Sequence, residues 1–147
     1  MFKRILVPTD GSKLSKKAVG EAIELARLSR ATLVALHVRP RFSDSPFGIY
    51  GPYEESIETA YDREVKATSD RLFAQVRKRA EAAGVAVEAA LVSSNDVWRA
   101  IIAAAARKKC DVICMASHGR RGLSALVLGS ETVKVLTHSS VPVLVMR

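Results

Sequence analysis

Two short segments carry the residue types that grip an anion. One is Pro8-Thr9-Asp10-Gly11, directly after the apolar run Ile5-Leu6-Val7. The other is Ala116-Ser117-His118-Gly119-Arg120-Arg121-Gly122, which closes a second apolar run and leads on to Gly129-Ser130-Glu131-Thr132. Glycines let backbone N–H groups turn inward against an anion, and a helix N-terminus adds partial positive charge. Ser117, Ser130 and Thr132 add hydroxyls, and Arg120 and Arg121 add charge suited to phosphate. That is the make-up of a polyphosphate cradle. It is not a P-loop, because no Gly-x4-Gly-Lys-Ser/Thr is present, and the first strand is not followed by Gly-x-Gly-x2-Gly. Spacing alone leaves a second reading open, in which these glycines only permit a tight strand-to-helix connection.

Other chemistries find less support. His37, His118 and His138 sit near predicted strand ends without helical ligand spacing, which disfavours a protein-held metal. Asp10, Ser117 and His118 contain the letters of a nucleophilic triad. However, adjacent residues at a strand end are expected to point apart, and no Gly-x-Ser-x-Gly elbow occurs. Asp10 after the first strand resembles a receiver-domain phospho-acceptor, without the accompanying acidic pair. Cys110 and Cys114 form Cys-x3-Cys, neither a zinc half-site nor a redox motif, and read as buried free thiols.

The elements that must position these loops follow from periodicity. Ile5–Val7 reads as a strand closed by Pro8, and Ser12 is placed to cap a helix running to Ser29 with Ala18, Ala22, Leu25, Ala26 and Leu28 at helical spacing. Thr32–Val38 is a second strand. Residues 41–53, with Phe42, Phe47, Tyr50 and Tyr53 among turn residues, read as a surface loop. Glu54–Ala83 is a long helix with Ile57, Tyr61, Val65, Leu72, Val76 and Ala80 on one face, stopped by Gly84. Val85–Val92, Val112–Ala116 and Val141–Met146 are strands. Val97–Lys109, introduced by Ser93-Ser94-Asn95-Asp96, and Gly129 to about Thr137 are helices. The strands are continuously apolar rather than alternating, as in a parallel sheet covered on both faces. The expectation is one open, doubly wound α/β domain spanning 1–147, in which ligands bind beyond the strands' carboxyl ends where strand order reverses.

Composition fits this picture. The 147 residues are 48% hydrophobic and 26% charged, the make-up of a globular domain. The longest apolar run, Ala100–Ala106, is far short of the roughly 20 residues of a membrane helix. The N-terminus has no long apolar stretch, so a soluble cytoplasmic protein is expected. Net charge is +8. Nucleic acid is disfavoured all the same, because aromatics are 5% and do not interleave with the basic residues. The clusters Arg77-Lys78-Arg79 and Arg107-Lys108-Lys109 fall instead at predicted helix C-termini, where cations are favoured.

Gly119, nine residues, then Gly129-Ser130, following Ser117-His118 at a strand end, resembles the signature loop of the universal stress protein family. Phe2–Ser12, Leu36-His37-Val38 and Val141–Val145 resemble the family's opening, second and closing strands, so the likeness spans the chain. It implies a five-stranded parallel sheet in the order 3-2-1-4-5. The family's ATP-binding motif, Gly-x2-Gly-x9-Gly-Ser/Thr, is matched in four of five features, with Ala116 in place of the first glycine. By this resemblance Pro8, Thr9, Asp10 and Val38 flank adenosine. Gly119, Arg120, Gly129, Ser130 and Glu131 surround the phosphates, with the Glu131 side chain turned away and only its N–H offered, and Ala116, Ser117, His118 and Thr132 complete the nucleotide-binding set. The expected cofactor is ATP, with Mg²⁺ carried by the phosphates, and hydrolysis is slow at most because no general base or arginine finger is identifiable. A branched side chain at Gly129 is expected to fill phosphate space while leaving the fold intact. The alternative is a nucleotide-free homodimeric stress-response interaction protein in which Ala116 marks loss of the site. In either case a homodimer through the apolar closing strand, an edge in that strand order, is expected.

Overall fold

The computed structural model describes residues 1–41, 54–119 and 128–147, and of residues 54–58 the backbone alone. The expected loop at 41–53 therefore lies outside the described residues beyond Arg41. The chain runs β1 (Arg4–Pro8), α1 (Lys13–Ser29), β2 (Thr32–Arg39), α2 (Glu54–Ala82), β3 (Val87–Ser93), α3 (Val97–Arg107), β4 (Val112–Ala116), α4 (Ser130–His138) and β5 (Val143–Met146). All strand pairs are parallel and the sheet order is β3-β2-β1-β4-β5, as the resemblance implied.

Alternate residues of each strand enter opposite layers. Ile5, Val7, Leu33, Ala35, Val112 and Cys114 pack with Val19, Ala22, Ile23 and Ala26 of α1 and Phe73, Val76 and Ala80 of α2. Leu6, Val34, Leu36, Ile113 and Met115 pack with Ile101, Ala104 and Ala105 of α3 and Val135 of α4. Burying each large aliphatic side chain is worth about 1.5–3 kcal/mol, so the two layers together fix the sheet between its helices. On α2 the buried stripe is Ser69, Phe73, Val76 and Ala80, whereas Leu72 is only half-buried. Phe73, rather than the expected Leu72, is thus the residue of that turn that enters the core. On α1, Leu28 of the expected stripe is left exposed.

Element ends shift by a few residues, each for a backbone reason. The N–H of Val85 bonds to Ala80 O, completing the left-handed Gly84 stop of α2 (φ 68°), so β3 starts at Val87 instead of Val85. α3 ends at Arg107 because Lys109 adopts φ 51° and the Cys110 N–H closes onto Ala105 O. β5 starts at Val143 because Ser139 Oγ folds Val141 into a turn and Pro142 lacks an N–H. Both thiols are buried and free. Burial pushes Cys114 up to about 11 and raises Cys110 as well.

At the sheet's N-terminal edge, polar groups tie four segments together. Glu88 of β3 pairs with Lys108 and with Arg4, and Arg4 Nε donates to Lys108 O at 2.7 Å. Asp111 accepts the N–H groups of Lys3 at 2.7 Å and Arg4 at 3.2 Å. Hydrogen bonds from Lys108 and then Arg4 hold the Glu88 carboxyl below its ordinary range. A depressed carboxylate stabilises the fold above its unfolded value of about 4.3, and that contribution is lost as pH falls through the folded value. Glu88→Gln should therefore cost on the order of 1 kcal/mol at pH 7, the scale of part-exposed pairs. In urea titrations its deficit relative to wild type should shrink once the pH drops below about 4.

Candidate functional site

β1 and β4 lie side by side, with Ile5 beside Val112 and Leu6 beside Ile113. The chain leaves β1 for α1 in one layer and leaves β4 toward α4 in the other. The two segments singled out above therefore both leave the sheet where its strand order reverses.

The β1 side is held by short polar contacts. Pro8, the last residue of β1, is half-buried opposite Leu36. Thr9 is buried, and its N–H donates to Leu36 O at 2.8 Å. Its hydroxyl meets Ser15 Oγ at 3.2 Å and accepts from the Gly11 N–H at 3.3 Å. The Thr9 carbonyl meets His37 Nδ1 at 2.8 Å. Gly11 has φ 78°, a left-handed turn that glycine adopts without strain. That turn lets Asp10 Oδ1 accept the Ser12 N–H at 2.9 Å, while Ser12 Oγ caps α1 at Ser15 N, 3.2 Å. Val38 lies two residues past Leu36 on the neighbouring strand, packed against the α3/α4 layer.

The β4 side closes on α4. Ala116 ends β4 paired with Met146 and is buried, and its carbonyl accepts Thr132 Oγ1 at 3.1 Å. It is not among the positive-φ residues, so the backbone does not demand glycine there. Ser117 is buried. Its N–H donates to Met146 O and its carbonyl accepts the Gly129 N–H, both at 2.8 Å. Its hydroxyl meets His118 Nδ1 at 3.2 Å. The expectation that these adjacent side chains point apart is overturned, because the strand stops at Ala116 and the backbone turns between them. Burial keeps the Ser117 hydroxyl from serving as an open nucleophile. Gly119 is exposed, and a Cβ there would stand 2.9 Å from Asp10 Oδ2, so the two loops touch. Ser130 is exposed at the start of α4, whose N-cap, Gly129, makes no side-chain cap hydrogen bond. Arg120, with Arg121 and Gly122, lies outside the described residues.

Glu131 does turn its carboxylate aside, onto Trp98 N at 2.8 Å and Lys134 Nζ at 3.1 Å. The roles of Ser15, His37 and the Glu131–Trp98 bond went unread in the sequence. Only Ser12-x2-Ser15 left a local trace, as capping spacing. The three histidines have separate partners: Thr9 O for His37, Ser117 Oγ for His118, and Lys134 O with the Trp98 ring for His138. Among the described residues no group of three or more His, Cys, Asp or Glu could hold a metal ion.

Gly129 has φ −63° and ψ 148°, open to any residue, so its requirement is steric. A Cβ there would meet His118 Cα at 3.2 Å, His118 Cβ at 3.3 Å and Ser117 O at 3.4 Å. An added side chain therefore presses on the backbone of the preceding loop, which must give by a few tenths of an ångström to admit it. In urea melts Gly129→Val should destabilise the protein by about 1–3 kcal/mol, and Gly129→Ala by less.

The model of the universal stress protein family matches residues 1–147. Universal stress protein MJ0531 of Methanocaldococcus jannaschii is 33% identical, over 100% of this chain and 83% of its own length. A universal stress protein of Thermus aquaticus, from the QAH/OAS sulfhydrylase 3′ region, is 33% identical over 100% of both chains. The solved structure of protein MJ0577, also of M. jannaschii, superimposes with a TM-score of 0.83 at 27% identity, covering 99% of this chain and 96% of that one. Two solved universal stress proteins carry adenine nucleotides. One is in complex with cAMP (TM-score 0.69, 23% identity, 99% and 97% coverage), and one from Archaeoglobus fulgidus is in complex with dAMP (0.67, 18%, 99% and 98%). At those identities the likeness bears on the fold.

Proposed function

The chain belongs to the universal stress protein family, and from that premise we propose that it is an ATP-binding signalling or protective module of stress response. The observation that carries this reading is the start of α4: Gly129 provides no capping side chain, and the β4 loop before it meets the β1 loop at Gly119 and Asp10. An uncapped helix start offers N–H donors and partial positive charge to an anion. That neighbours of the same fold carry cAMP or dAMP supports an adenine nucleotide as the anion.

In this reading Pro8, Thr9, Asp10 and Val38 flank the adenosine. The backbone of Gly119, Gly129, Ser130, Glu131 and Thr132 and the Ser130 hydroxyl receive the phosphates, with Ala116, Ser117 and His118 as the wall beneath. Arg120 joins them on the strength of the motif alone. Mg²⁺ is carried by the phosphates, with Asp10 as the acid nearby. Bound ATP supplies a transferable phosphoryl group. Here its hydrolysis is slow, because Asp10 Oδ1 is committed to the Ser12 N–H and the Ser117 hydroxyl is buried against His118. The extended, buried Ala116 favours this reading over one in which its methyl abolishes the site.

The proposal includes a homodimer through β5. Among the described residues that strand pairs only with β4 and exposes Leu144, and Val133 and Leu136 of the adjacent α4 are also exposed. Twofold pairing of β5 with its copy is antiparallel, and Pro142 lies before the ladder, so no donor is lost within it.

Calorimetry should show saturable ATP binding that strengthens with Mg²⁺, and nucleotide should be released from freshly purified protein. No heat at millimolar ATP overturns the nucleotide reading. Sedimentation at micromolar concentration should give a dimer that Leu144→Lys dissociates without loss of helical signal, whereas a wild-type monomer near 15.9 kDa overturns the dimer.

A further inference from the structure

The first turn of α3 has no cap of its own. Asp96 holds the N-cap position, but it makes no cap hydrogen bond, and its carboxylate pairs with Arg99 at 3.1 Å. The Trp98 N–H is taken instead by Glu131 Oε2 at 2.8 Å, from the first turn of α4. Glu131 Oε1 is held by Lys134 at 3.1 Å. The same two helices meet again where the Trp98 ring lies 4.6 Å from that of His138, with the Arg99 guanidinium 4.9 Å over it. Trp98 thus touches both ends of α4.

A carboxylate in the first turn of α4 is, on charge alone, a poor neighbour for an anion at that helix start. Its hydrogen bonding explains why it is tolerated. The acceptor satisfies an orphan donor of α3, Lys134 offsets its charge, and its own backbone remains in the turn that opens at Gly129. We propose that Glu131 is a positioning residue for the nucleotide. By bonding Trp98 across the α3–α4 contact it fixes the direction of the first-turn N–H groups of α4 that receive phosphate. This rests on the ATP-binding reading above.

Charge and positioning predict opposite results. Were Glu131 only a nearby negative charge, Glu131→Ala would bind ATP as tightly as wild type or more tightly. As a positioning residue its loss should weaken binding about tenfold, the worth of one charge-assisted hydrogen bond. Glu131→Gln, which keeps an acceptor for the Trp98 N–H, should recover most of that loss. Trp98 is the sole tryptophan, so its emission should shift on ATP addition in wild type and stay unchanged in Glu131→Ala. Calorimetry with ATP distinguishes the failures. No binding by wild type overturns the functional reading and this inference with it. Binding by wild type and by Glu131→Ala alike overturns this inference alone. Should Glu131→Ala fail to fold, amide exchange on wild type decides: ATP should slow exchange at Trp98, and an unchanged rate overturns the assignment.

Discussion

A parallel strand buried on both faces can reach its neighbour only by leaving over one face, and β1 and β4, side by side, leave over opposite ones. Everything at the carboxyl edge of the sheet follows from that divergence. The chain after β1 must turn at once into α1, which the left-handed Gly11 and the Ser12 cap achieve within three residues of Thr9. The chain after β4 must return to α4 from the other side, and the bond from Gly129 N–H to Ser117 O closes that return. Two segments that leave toward opposite layers thus still approach one another where Gly119 meets Asp10.

The opposite edge is built on another principle. There the strands begin, and Arg4, Glu88, Lys108 and Asp111 fasten β1, β3 and the connection into β4 by ion pairs and backbone bonds. Thr9, Ser15, Ser117 and Thr132 are buried at the carboxyl edge, and each has a hydrogen-bond partner, so its polarity is tied down rather than loose.

The fold was legible because continuous runs such as Ile5–Val7 and Val112–Ala116 report burial on both faces, and because Gly84 and Ser12 punctuate the helices they bound. The strand order came from family resemblance, since periodicity carries no neighbour information. Boundaries failed where one N–H was spent elsewhere: Val85 on the end of α2, Cys110 on the end of α3. The loops of the site were legible as residue types. Their contacts were not, because Glu131 with Trp98 and His37 with Thr9 join residues far apart in sequence. Phe73 was missed because its neighbour Leu72 fits a helical stripe nearly as well, and only the layer of α1 chooses between them.

Gly129 and Ala116 show why a motif's letters carry unequal weight. At Gly129 the torsions suit any residue, yet a Cβ would press on His118 Cα at 3.2 Å, so glycine is favoured by the approach of two backbone segments. At Ala116 the residue is paired in a strand and already buried with its methyl in place. One position is fixed by space that the fold itself occupies, while the other already accommodates a side chain. The departure from the motif therefore falls where the strand already holds a side chain, and the match falls where a side chain would press on the returning loop.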